Sequence, residues 1–173
     1  MEEQVTIPDD ITVSQDGDSI VVESDSNEIR QKLEHPQVAI EIGDDTVTVR
    51  TDATKRDIKA VVGTYSSKLQ NMIEGVQEPY EYKLKTVYAH FPMSVKVEGN
   101  EVVIQNFIGE RSDRRVEIMD GVSVEINDDE ITVTGPDKEK VSQTAARIEQ
   151  ECYKGTRDPR KFQDGIYITS KGE

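Results

Sequence analysis

The chain has 173 residues, of which 34% are hydrophobic and 5% aromatic, with no Trp; so lean an apolar stock suits two modest cores better than one large one. Its formal charge of −14, from 35 Asp+Glu against 21 Lys+Arg, speaks against uniform electrostatic attraction to nucleic acid. No apolar run is long enough for a membrane-spanning helix, and a single cysteine, Cys152, excludes an intramolecular disulfide and a Cys-based metal cluster.

The acidic opening Met-Glu-Glu-Gln lacks the basic-then-apolar layout of a secretory leader, so the expected location is the cytoplasm. Surplus carboxylates with few large apolar side chains fit a salt-adapted, halophilic source, where mutual repulsion is screened. Under that reading, total charge is a poor test for RNA binding, and local charge becomes the useful quantity.

In chain order, Gly17-Asp18-Ser19-Ile20-Val21-Val22 reads as a turn and a strand. Residues 38–52 read as a hairpin with its tip at Gly43-Asp44. Thr54 with Asp57 resembles a capping box, and Ile58, Val61, Val62, Tyr65, Leu69, Met72 and Ile73 then follow helical spacing. Gly75 is the expected stop, and residues 75–79 the expected boundary.

The plan then repeats. Gly99-Asn100-Glu101-Val102-Val103-Ile104 matches the first turn and strand. Residues 122–137 match the first hairpin at an offset of 84, with the tip at Asn127-Asp128. Asp137 is a good N-cap for a helix bearing Val141, Thr144, Ala145, Ile148 and Cys152 on one face. The expected fold is α+β: two similar domains, 1–78 and 79–173, each a mostly antiparallel sheet with one helix packed on one face. The acidic hairpin tips read as solvated turns, since the spacing of a calcium loop is absent.

Chemistry is hard to find. His35 and His90 each stand apart from Cys or a second His, so no metal site is expected. Gly-rich phosphate loops and nucleophile motifs are missing, so no enzyme, cofactor or small-molecule substrate is expected. Charge is more informative. Residues 1–78 hold 7 basic against 17 acidic residues, whereas residues 79–173 hold 14 against 18 and gather their cations in two patches. Arg111, Arg114 and Arg115 fall between two strand patterns, in an expected loop. Lys154, Arg157, Arg160, Lys161 and Lys171 follow the second helix, in a segment made irregular by Gly155, Pro159 and Gly165 before Ile166-Tyr167-Ile168 resumes as a strand. Arginine pairs with phosphate bidentately or stacks on bases, which suits RNA; ordinary solvated surface is the alternative.

The run Arg160-Lys-Phe162-Gln-Asp164-Gly165-Ile166-Tyr167-Ile168, with Lys171 beyond it, resembles the end of the universal large-subunit ribosomal protein L-six family in its archaeal and eukaryotic branch. Ala89-His90-Phe91-Pro92-Met93, Asn106-Phe107-Ile108-Gly109-Glu110-Arg111 with Arg114-Arg115, and Gly135-Pro136-Asp137 resemble it too. Lys154 departs from the family's usual apolar residue. The resemblance covers essentially the whole chain. It implies a duplicated α+β fold and a structural constituent of the ribosome, without cofactor or membrane, whose partners are 23S ribosomal RNA and neighbouring large-subunit proteins. It also implies a place near the sarcin-ricin region, the factor-binding side and the stalk base. Carried onto this chain, it marks Arg111, Arg114, Arg115, Arg157, Arg160, Lys161 and Lys171 as RNA contacts, with Gly109, Gly155 and Gly165 letting the backbone approach; Lys154 joins these candidates on charge alone. His90 is read as structural, with a place beside RNA as the alternative. A protein-interaction module offering exposed sheet edges stays open as the rival reading. An enzyme acting on a small ligand is a further alternative, for which the sequence offers no pocket residues.

Overall fold

Alternation of β-branched and polar residues sets thirteen short strands in the computed structural model, which describes residues 1–89, 91–153, 155, 157–158 and 160–171. They belong to two units, Met1–Pro79 and Tyr80–Glu173.

The first unit holds β1 (Glu2–Thr6), β2 (Thr12–Asp16), β3 (Ser19–Glu23), β4 (Glu28–Lys32), β5 (Ala39–Ile42), β6 (Thr46–Arg50) and α1 (Arg56–Gln77). Its strands form two antiparallel three-stranded sheets, ordered β1-β6-β5 and β2-β3-β4. The buried stripe of α1 (Ile58, Val62, Leu69, Met72, Ile73) is the one that helical spacing predicts. Most of it closes on Val5, Ile20, Val22, Val47 and Val49.

The capping box at Thr54 does not form. Lys55 is the N-cap and makes no side-chain cap bond, while the Asp57 carboxylate accepts from the next backbone N–H, that of Ile58, at 3.0 Å. The helix begins one residue later than the box requires. Nor does Gly75 stop it. Gly75 is buried inside the helix, which ends at Gln77, where the proline at 79 forces Glu78 into an extended conformation.

The second unit holds β7 (Tyr80–Val87), β8 (Ser94–Glu98), β9 (Glu101–Gln105), a 3-10 turn at Phe107–Gly109, β10 (Arg114–Glu117), β11 (Ser123–Asn127), β12 (Glu130–Gly135), α2 (Lys138–Glu151) and β13 (Gly165–Ser170). Its sheets are β8-β9-β10 and β11-β12-β7-β13. Element by element, β7 to β12 and α2 repeat β1 to β6 and α1, which makes the two domains similar α+β folds. The β2-β3 and β8-β9 tips even share a glycine at positive φ, Gly17 at 62° and Gly99 at 60°. Each domain divides its strands between two small sheets instead of forming one. The strand β13 has no counterpart in the first unit. It pairs with β7, so β7 becomes a central strand while β1 stays at an edge.

Asp137 caps α2 as expected, accepting from the N–H groups of Glu139 (3.0 Å) and Lys140 (3.4 Å). The apolar face of α2 (Val141, Ala145, Ile148) packs with Leu84, Val102, Ile104, Phe107, Ile131, Val133 and Ile166 in the second core.

Candidate nucleic-acid interface

Three segments of the second unit carry the features that nucleic acid would use: residues 88–93, 106–115 and 153–165. The middle one contains the most strained backbone among the described residues. Asn106, Ile108 and Gly109 all have positive φ (59°, 47° and 76°), and for β-branched Ile108 that is an outlier. Strain of this kind persists only where neighbours over-determine it. Here Phe107 is buried at 1% exposure, Glu110 N donates to the Phe107 carbonyl at 3.0 Å, and Asn106 Nδ2 donates to Pro92 O at 2.7 Å.

That last bond ties the turn to segment 88–93, and a second tie comes from packing. Gly109 faces the Phe91 ring so closely that an added Cβ would sit 3.1 Å from it. Segment 88–93 is in turn fixed to the start of β13. Asp164 is buried, and its carboxylate accepts from the N–H groups of Ala89 (3.1 Å) and Phe91 (3.4 Å).

Arg114 makes the remaining connection. Its Nε donates to Glu110 Oε2 at 2.9 Å and its Nη2 to Oε1 at 2.6 Å, a two-pronged pair. Its Nη1 donates to the carbonyls of Glu151 and Tyr153, at the end of α2, and its guanidinium lies 4.5 Å from the Phe107 ring centre. The hydrogen bonds from Arg114 hold the Glu110 carboxyl below its ordinary value of 4.5 against the opposing effect of burial, and the charges of Arg114 and Arg157 add to the lowering. Arg114 is correspondingly raised by its bonds to Glu110. The described parts of the three segments therefore lie side by side on one scaffold.

The sequence model of the Ribosomal protein L6 family matches this chain twice, over residues 7–79 and 91–165, one match in each unit. The chain is 45% identical to large ribosomal subunit protein uL6 of Methanococcus vannielii, over 98% of its own length and 93% of the relative's. It is 44% identical to that of Haloarcula marismortui (97% and 94%) and 45% identical to that of Archaeoglobus fulgidus (98% and 89%). The chain belongs to the ribosomal protein L6 family.

Membership makes it a structural constituent of the large ribosomal subunit, not an enzyme. Among the described residues, no three His, Cys, Asp or Glu side chains converge as a metal ion requires, and no helix is long and apolar enough to cross a membrane.

Against this L6 background the cations separate into kinds. Arg111 is exposed in the turn. Arg114 and Arg115 are not in a loop, as their charge suggests, but on β10, paired with Ile104 and Val103 of β9. Alternation sends Arg114 inward over Phe107 and Arg115 outward, where it pairs with Glu98 (3.4 Å) and Glu101 (3.9 Å). Only Val116 and Ile118 mark the apolar side of this strand, too few for the pattern to emerge from its charges.

In the last segment Arg157 stands 5.1 Å over the Phe162 ring, and Arg160 is 89% exposed with a single ion pair to Asp158 (3.3 Å). Lys161 and Lys171 are exposed. Gly155 is exposed at φ 67°, with no described atom within 4 Å of an added Cβ. Gly165 is buried against the Tyr167 side chain, and Gly109 turns the side where a Cβ would stand toward the Phe91 ring, so neither has the open surroundings of Gly155. Lys154 and His90 lie outside the described residues.

Charge alone misses the aromatic component. The exposed aromatic side chains among the described residues are Tyr88, Phe91, Tyr153 and Tyr167, all in the second unit. They flank the same three segments. Their spacing along the chain gave no sign of it, although two of them sit inside motifs of the L6 family.

Proposed function

We propose that the second unit binds large-subunit ribosomal RNA and holds its folded shape for translation in the cytoplasmic ribosome. The surface does this with the exposed cations Arg111, Arg157, Arg160, Lys161 and Lys171, assisted by Lys154 and Arg115. Gly155 lets the backbone approach, and the exposed aromatics offer faces on which unpaired bases stack. The observation that carries this reading is the pinning of three segments, basic and aromatic, around a strained turn in a chain of net charge −14. We take this contact to lie near the sarcin-ricin region and the factor-binding side of the subunit, with neighbouring large-subunit proteins as further partners, a reading that the L6 resemblance supports.

Ion release drives RNA binding less in concentrated salt. Shape, stacking and hydrogen bonds therefore carry more of the affinity here. The test is binding of the purified chain to large-subunit ribosomal RNA in molar KCl, beside an Arg160→Glu/Lys161→Glu variant. Tight binding that the variant loses is the expected outcome. Equal binding by both proteins would remove the last segment from the interface, and binding that is unspecific at low salt and vanishes in molar KCl would sink the shape-based reading.

One observation favours a second reading for the first unit. Among the described residues β1 pairs on one side only, with β6, and so leaves a strand edge that an extended segment of a neighbouring protein can join. Binding of that kind survives reversal of the charges at Arg160 and Lys161.

A further inference from the structure

Glu110 is an anion among the cations that face phosphate in the proposed interface, and by simple electrostatics it weakens that interface. Its geometry gives it a different purpose. Both of its oxygens are taken by Arg114, at 2.9 and 2.6 Å. The same guanidinium bonds the carbonyls of Glu151 and Tyr153 and covers Phe107. Of the five N–H donors that an arginine has, four are directed to internal acceptors. Among the described cations of the interface Arg114 is also the most enclosed, with 22% of its side chain exposed against 48% for Arg115 and 89% for Arg160.

We infer that Arg114 is a positioning residue and Glu110 the anion that orients it. Together they fix the turn carrying Arg111 against the segment carrying Arg157, Arg160 and Lys161, so that both reach one RNA surface at once. Arg114 itself makes no phosphate contact. This inference rests on the RNA-binding reading above, and it makes an acidic side chain a requirement for binding a polyanion.

A direct phosphate contact by Arg114 predicts the opposite sign. Glu110→Gln would remove a repulsive charge and free an arginine fork, so RNA would bind more tightly and with a steeper dependence on salt. The brace predicts weaker binding from the same change. Arg114→Lys keeps the charge but loses the planar fork, which one ammonium cannot replace across a carboxylate and two carbonyls.

The experiment compares the full chain with Glu110→Gln, Arg114→Lys and Arg111→Gln. Each protein is titrated with large-subunit ribosomal RNA over a series of KCl concentrations and melted thermally. The brace predicts that Glu110→Gln and Arg114→Lys each weaken binding by about fivefold or more. Both also make the salt dependence shallower, because cations on one segment lose reach, while both still melt cooperatively. Arg111→Gln, the direct-contact reference, lowers the salt slope by roughly one phosphate equivalent. Binding by Glu110→Gln that equals or exceeds the unmodified chain overturns the brace, as does unchanged binding by Arg114→Lys. If Glu110→Gln fails to fold, Arg114→Lys decides. Failure of the unmodified chain to bind RNA removes the RNA reading and this inference together, whereas failure of the brace alone shows only in the variants.

Discussion

Single residues in this protein are best understood by what holds them. Asp137 has an assignable place because the N–H groups that donate to its carboxylate lie within three residues, and the chain does cap α2 there. Arg114 does not, because its acceptors lie at positions 110, 151 and 153, on both sides of a helix whose placement is tertiary. Glu110 also provides a pH test. Its folded value lies below the ordinary 4.5, chiefly through the Arg114 bonds. The pair's contribution to stability is therefore complete above the ordinary value and is lost as pH falls through the folded one. The group is a third exposed, so solvent keeps the effect small. The stability gap between the unmodified chain and Glu110→Gln should narrow as pH drops below 4.5, measured by urea unfolding at stepped pH. A gap that is constant from neutral to acid pH would mean that the pair does not contribute through its charge.

At the scale of elements, the sequence was readable where periodicity was long. Both hairpins, both helices and the duplicated order followed from alternation and helical spacing, because each buries one face against the same kind of neighbour. The division of each domain into two small sheets was hidden, since strands of four to six residues look alike whichever sheet they join. The interface was half legible. Its charges stood out, but its aromatics are scattered between positions 88 and 167, in segments whose ties through Asp164, Asn106, Gly109 and Arg114 are tertiary. The helix starts gave a mixed result, and the absent cap of α1 leads to a prediction. Lys55 already has the extended backbone of an N-cap, with φ −66° and ψ 137°, but no side-chain acceptor. Lys55→Ser supplies one and should stabilise the first domain by about 1 kcal/mol, read as a higher urea midpoint at unchanged slope. No gain would mean that the first-turn N–H groups already have solvent partners of equal worth.

For the whole molecule the dominant quantity is charge. A net −14 on 173 residues opposes the compact state unless it is screened. Several carboxylates are matched locally, as in Asp16 with Arg30 and Asp18 with Lys32, but these pairs are exposed and weak. The melting temperature should therefore rise with KCl, mostly below about 1 M, where the screening length shrinks from about 10 Å to about 3 Å. Thermal melts from 0.1 to 3 M KCl measure this. A flat response would show that local pairing already balances the surplus and would remove salt adaptation as the explanation for the composition.

The strand β13 also imposes an order of events during synthesis. The first domain contains every strand of its own sheets by residue 50 and its helix by residue 77, so it can fold while the rest is still being made. The second cannot. Its strand β7 starts at residue 80, pairs with β12, and waits for a second partner that begins at residue 165; Asp164, which bonds Ala89 and Phe91, arrives with that partner. Contacts across so many residues close slowly. The nascent chain thus presents a finished acidic domain first, and it brings segments 88–93 and 106–115 to their final ties only once β13 has been made.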